Sequence, residues 1–151
     1  MVQSRTIDTT TVPLTTNGFT LSDGWISQSI YNSITDPRVG TTTSGASISF
    51  PLTSASAFYI VGSVNFNHGL FYVTVTPPSN IGPQMKGEYN GSSYFFGLGT
   101  MLYLATGLNR SQTYQIEMAN DSPSLWLDIS SVVVCDTPPS AEADITHPMC
   151  L

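Results

Sequence analysis

Between Ser44 and Pro78 the chain reads SGASISFPLTSASAFYIVGSVNFNHGLFYVTVTPP, and apolar and polar positions alternate through much of it. Ala46, Ile48, Phe50 and Leu52 share one parity, Ser47, Ser49 and Pro51 the other. Period two is the repeat of a strand with one face on a core and one in water. Ala57 to Val64 is almost wholly apolar, which predicts a central strand buried on both faces. From Leu70 onward Phe71, Val73 and Val75 oppose Leu70, Tyr72 and Thr74. Between these two runs Asn65-Phe66-Asn67-His68-Gly69 is rich in turn formers and predicts a hairpin.

The flanking sequence continues the pattern. Arg5 to Thr11 predicts a short edge strand, and Val12 to Asn17 a connection. Phe19, Leu21 and Trp25 surround an Asp23-Gly24 turn, with Trp25 as a core or rim anchor. Ser27 to Ser44 is polar and aperiodic and reads as a long loop across one end of the fold. Pro77-Pro78 breaks the next strand, and Ile81 to Tyr89 predicts another. Asn90-Gly91 is a strong turn signal, because both residues tolerate positive φ. In Leu98 to Thr106, Leu102 and Leu104 fall opposite Met101, Tyr103 and Ala105. Tyr114, Ile116 and Met118 alternate with Thr113, Gln115 and Glu117. In the last strand Leu125, Leu127 and Ile129 give way to Val132 and Val134, a change of phase that predicts a β-bulge at Ser130-Ser131. About eight to ten short strands without a helix predict an all-β, two-sheet antiparallel sandwich of jelly-roll type.

Length and composition narrow this further. The 151 residues are enough for one domain, read as 1–135, followed by an acidic, Pro-rich and loosely held tail at 136–151. Charged residues make up only 9%, far below the roughly 25% usual in soluble domains. The net charge is −6, and the basic residues Arg5, Arg38, Lys86 and Arg110 are scattered. Without a basic stripe, nucleic acid is excluded as a partner, and an anionic membrane surface is equally unsuited. No apolar run is long enough for a membrane span. Met1 to Arg5 leads into polar sequence without a leader, yet Asn90-Gly91-Ser92, Asn109-Arg110-Ser111 and Asn120-Asp121-Ser122 are glycosylation sequons. They set the expectation of a secreted or extracellular glycoprotein. Cys135 and Cys150 are either a disulfide pinning the tail to the last strand or two separate thiols. Neither has the partners of a metal site, and no cofactor is expected.

One further pattern is carried by Ile7-Asp8, Gly24-Trp25, Gly45-Ala46-Ser47-Ile48-Ser49-Phe50 and Ala57 to Val64. It continues through Leu102 to Leu108, Gln112 to Asn120 and Leu125-Trp126-Leu127-Asp128. In this order the motifs resemble a group of fungal secreted or membrane-anchored ectodomains with a galactose-binding-like jelly roll, over roughly residues 6–134. The chain carries Tyr114 where that group has His. The resemblance implies the jelly roll and a carbohydrate-facing role, and it carries over no catalytic residue. It also raises a structural calcium, although no Asp-x-Asp-x-Asp run supports one.

Catalysis finds little support. Only His68 and His147 could serve a Ser-His-Asp triad, and neither G-x-S-x-G nor His-Glu-x-x-His occurs. His68, between Asn67 and Gly69, reads as a hairpin-tip residue. Glu88, Glu117 and Asp128 are the available carboxylates for a glycoside-active hydrolase, with Asp128 structural in the resembling group. Binding is better served. Aromatic rings stack on the C–H faces of sugars, and neutral amides and hydroxyls frame them. Three clusters supply such groups: Tyr89 to Phe96; Asn65 to His68 with Tyr72; and Trp25 with Tyr31-Asn32. Trp25, Tyr31, Asn65, Asn67, His68, Tyr72, Tyr89 and Tyr94 are the candidate ligand-binding residues. The expected function is non-catalytic, lectin-like carbohydrate binding. The alternatives are a structural or adhesion ectodomain forming a homo-oligomer, and a small glycoside-active hydrolase.

Overall fold

A computed structural model of the chain describes residues 5–8, 18–29, 37–79 and 82–135. The elements are β1 (Arg5–Asp8), β2 (Thr20–Leu21), β3 (Ile26–Ser29), β4 (Pro37–Thr41), β5 (Ser47–Thr53) and β6 (Ala57–Val64). They continue with β7 (Leu70–Thr76), β8 (Met85–Asn90), β9 (Gly97–Thr106), β10 (Thr113–Asn120) and β11 (Leu127–Cys135). A six-stranded sheet runs β3-β4-β11-β6-β9, with β1 beside β4 on the same edge of β11, and a five-stranded sheet runs β2-β5-β10-β7-β8. Among the described residues every pairing between strands is antiparallel, so the fold is the expected two-sheet sandwich.

The alternation reported by the sequence is the alternation of burial. Ile48, Phe50 and Leu52 of β5, Phe71, Val73 and Val75 of β7, and Tyr114, Ile116 and Met118 of β10 line the inner face of the five-stranded sheet. Opposite them lie Phe58 and Ile60 of β6 with Leu127, Ile129, Val132 and Val134 of β11. Burying such side chains contributes about 1.5–3 kcal/mol each and is the main force closing the sandwich. The phase change in β11 is a register shift between Ile129 and Ser131 against β6, which keeps both halves of the strand facing inward.

Five local expectations need correction. Asn65 to Gly69 is not a hairpin, because β6 and β7 belong to different sheets and the loop crosses between them. Asn90-Gly91 likewise leads from β8 to β9 across the sandwich, and Gly91 does not take a positive φ. The segment read as a long loop after Trp25 contains β3 and β4, whose mostly polar sequences carry no period-two signal but pair through their backbones. In β9 a register shift between Met101 and Tyr103 separates Leu102, half-buried against the core, from Leu104, which faces outward. β6 is buried on its core face, whereas Tyr59 and Val61 on the other face are half-covered. Residues 1–4, 9–17, 30–36, 80–81 and 136–151, and with them the expected tail, lie outside the described residues.

Candidate functional site: the loop end of the sandwich

The antiparallel pairing brings the loops 22–25, 42–46, 65–69, 91–96 and 121–126 out at one end of the sandwich. Backbone hydrogen bonds stitch them together. Asn65 N donates to Gly91 O (3.2 Å), Ser93 N to Asn65 O (3.1 Å), Trp126 N to Asn67 O (2.9 Å) and Gly69 N to Trp126 O (3.2 Å). On the other side Ser124 N donates to Thr42 O (3.1 Å), and the Thr41 hydroxyl to Gly24 O (2.8 Å). Gly24 takes φ 95°, and a Cβ there would also press on the Thr43 side chain, so the Asp23-Gly24 turn requires glycine twice over.

Three of the rings on these loops stand in solvent. Tyr94 is 93% exposed, Phe95 79% and Phe66 76%. Tyr94 and Phe95 meet edge to face with centroids 5.7 Å apart. Phe66 stands on the adjacent loop, where its neighbour Asn65 is bridged to Ser92. Side-chain turns hold both loops: Asn65 Oδ1 accepts from Phe66 N (2.8 Å) and Asn90 Oδ1 from Ser92 N (2.8 Å). Exposed rings grouped in this way contribute nothing to the core and leave a patch open to a ligand.

Beneath loop 65–69 lies a buried polar network. Asp128 Oδ1 accepts from the Arg38 guanidinium (3.1 Å) and from Ser63 N (2.9 Å). Its Oδ2 accepts from the Ser63 hydroxyl (2.6 Å) and faces His68 Nε2 at 2.8 Å. The other ring nitrogen of His68 lies 3.1 Å from Asn67 Oδ1. His68 is 6% exposed and Asp128 2%. Burial by itself raises the Asp128 pKa, but the hydrogen bonds from His68 and Ser63 and the Arg38 charge more than offset this and hold it below the usual carboxylate value. A Cβ on Gly62 would run into the Asp128 carbonyl, which is why glycine stands where β6 passes this carboxylate.

Ser63, His68 and Asp128 have the residue types of a catalytic triad without its arrangement. In a triad the base contacts the nucleophile through one ring nitrogen and the carboxylate through the other. Here Ser63 and Asp128 share the same Nε2, and the serine proton points at the carboxylate. All three are buried, so no substrate reaches the hydroxyl.

The candidate residues therefore divide. Tyr94, Asn65 and Asn67 lie at the loop end, joined by Phe66 and Phe95. His68 is not an exposed hairpin tip, since it is spent on the network. Tyr89 is packed inward, stacked on Phe71 (5.7 Å) and edge-on to Tyr103 (5.2 Å). Tyr72 lies on the outer face of β7, with Lys86 Nζ 4.3 Å from its ring centroid. A hydrogen bond to Glu88 and the charge of Asp121 raise its pKa. Trp25 donates its indole N–H to Ser47 O (3.0 Å) and lines a recess of about 190 Å³ with Leu21, Asp23, Ile26 and Val39. Tyr31 and Asn32 lie outside the described residues. Glu88 and Glu117 are exposed on different strands of one sheet, and Asp128 is buried on the other, so no carboxylate pair faces across a cleft. Trp126, half-buried against Asn67, was not among the candidates.

The sequons divide too. Asn90 and Asn109 are exposed, each accepting a hydrogen bond from the backbone N–H two residues on. Asn120 is 1% exposed, and its Nδ2 meets the carbonyls of Thr43, Ser122 and Leu125 at 3.1–3.3 Å. A glycan on that nitrogen would displace these bonds, which counts against the third expected acceptor. Cys135 is disulfide-bonded, and Cys150 lies outside the described residues. Among the described residues no group of His, Cys, Asp or Glu gathers to hold a metal ion, and no helix is long and apolar enough to cross a membrane.

Fold and loop end together define an antiparallel β-sandwich with an aromatic, weakly charged end. No family model and no curated protein sequence matches the chain. Among solved structures, a family two carbohydrate esterase from Cellvibrio japonicus superposes with a TM-score of 0.54 at 11% identity, over 91% of this chain and 35% of that one. The chain thus spans about a third of the esterase. A carbohydrate-binding module of lichenase 5A from Cellvibrio mixtus, in complex with cellotriose, gives 0.44 at 14% identity, over 77% and 89% of the two chains. The C-terminal family 6 module of a marine laminarinase from Zobellia galactanivorans gives 0.41 at 10%, over 88% and 99%. At such identities the likeness is one of fold.

Proposed function

We propose that this protein is a non-catalytic carbohydrate-binding sandwich that holds its ligand against Phe66, Tyr94 and Phe95. The observation that carries this reading is the exposure of these rings on two loops tied to one another by backbone bonds. The backbone that carries them is held before a ligand arrives, which lowers the ordering cost of stacking. Asn65, Asn67, Ser92 and Ser93 lie on the same two loops; the Oδ1 atoms of Asn65 and Asn67 are engaged with Phe66 N and the His68 ring, so their Nδ2 groups are the atoms offered to sugar hydroxyls. Carbohydrate is also what the structurally similar family two esterase acts on. A secreted setting agrees with the disulfide at Cys135. Calorimetry and affinity gels with cell-wall polysaccharides test it. The chain binds at least one polysaccharide, and Tyr94→Ala with Phe95→Ala weakens that binding at least ~10-fold, as loss of about 1–3 kcal/mol per ring requires. Binding unchanged in the double variant would refute it.

A second reading, the homo-oligomer, has one observation in its favour. Among the described residues β9 is the edge strand of its sheet, and Leu98, Met101 and Leu104 are exposed along it. Light scattering decides whether a second copy covers it.

A further inference from the structure

We infer that the ligand is a neutral polysaccharide, engaged without any ionic contribution. The inference rests on the binding reading above and adds the charge class of the ligand. The chain holds only four basic residues, and their places are all known at the level of the fold. Arg38 has no exposed side-chain surface, and its guanidinium lies 3.1 Å from Asp128. Lys86 lies over the Tyr72 ring, on the outer face of the five-stranded sheet. Arg110 sits between β9 and β10, at the end opposite the aromatic loops. Arg5 is paired with Val134, at the same far end. The segments outside the described residues contain no Lys or Arg. His68 is buried in the network.

The charges that do stand at the loop end are negative. Asp23 and Asp121 are exposed there, and Glu88 lies on β8 just before the aromatic loop. The exposed cation on this side is Lys86, and it lies over the Tyr72 ring that also meets Glu88 and Asp121, so its charge is already offset by carboxylates and a uronate or sulfate ester brought to Phe66, Tyr94 and Phe95 would meet a field of its own sign. Recognition of anionic polymers depends on Arg or Lys contacts that offset charge and release counter-ions. The rings have no such requirement, since they offer their faces to uncharged C–H surfaces. The ligand class that fits is an unsubstituted hexose or pentose polymer.

The experiment uses the full chain in affinity gels and calorimetry with two sets of polymers. The neutral set is β-1,4-glucan, β-1,3-glucan, xylan and mannan, and the anionic set is polygalacturonate, alginate and heparin. Each is run at ~20 mM and ~500 mM NaCl, on either side of strong screening. The expected result is binding within the neutral set alone, with affinities differing less than ~2-fold between the two salts. Binding to an anionic polymer that weakens with salt would overturn the inference and leave the aromatic site standing. Binding to neither set would remove both.

Discussion

Asp128 gathers Ser63, His68 and Arg38 around one buried carboxylate. Removing one partner of such a pair leaves the other buried and uncompensated. Asp128→Asn is therefore expected to cost roughly 3–5 kcal/mol in urea unfolding. The sign of the pH effect follows from the lowered carboxyl pKa. In the unfolded chain the group titrates near ~3.9, and in the folded chain lower. Its stabilisation is complete above that unfolded value and is lost as pH falls through it toward the folded one. Between about pH 5 and pH 3, Asp128→Asn should flatten part of the acid-induced fall in Tm. Asn120 makes the second residue-scale prediction. Asn120→Ala leaves the carbonyls of Thr43, Ser122 and Leu125 without their donor and should cost about 1–3 kcal/mol. Expressed through a eukaryotic secretory route, the folded protein should carry glycans at Asn90 and Asn109 but none at Asn120 by peptide mass mapping.

Among elements, the aromatic loops and the strands beneath them are expected to respond in opposite ways to truncation. Phe66, Tyr94 and Phe95 stand in water, so their alanine variants should unfold within ~0.5 kcal/mol of the parent. Tyr89→Ala, one residue before the same loop, removes a ring packed between Phe71 and Tyr103 and should cost about 2–4 kcal/mol. Calorimetric unfolding of the four variants separates the two behaviours. Sequence alone grouped Tyr89 with Tyr94, because both flank Asn90-Gly91 and nothing local distinguishes a ring at the end of a strand from one on the loop. The bulge in β11 was legible, since the apolar positions themselves change phase there. β3 and β4 were not, because their place is decided by pairing with one another and with β11.

For the whole molecule, edge and charge set the behaviour in solution. The outer face of β9 shows Leu98, Met101 and Leu104 with no charged residue among them, while the chain as a whole carries −6. If a second copy covers this face, light scattering gives twice the chain mass, and Leu104→Glu returns it to the monomer with ring-dependent sugar binding intact. A monomer in both forms would remove the oligomer reading. The register shifts along β9 and Gly99 at φ 64° already twist this edge, a feature that works against open-ended strand addition.

By itself the sequence determined the strands of clear alternation, the inward face of most of them, the β11 bulge and the scarcity of basic charge, because side-chain parity and composition are local quantities. Only the tertiary structure decided which sheet each strand joins, and so turned two expected hairpins into crossings. It also decided that His68 and Asp128 meet in a buried network beneath loop 65–69, and that Phe66, Tyr94 and Phe95 share one end. Each of those outcomes depends on contacts between residues tens of positions apart, and alternation along a chain carries no record of which distant strand will be its neighbour.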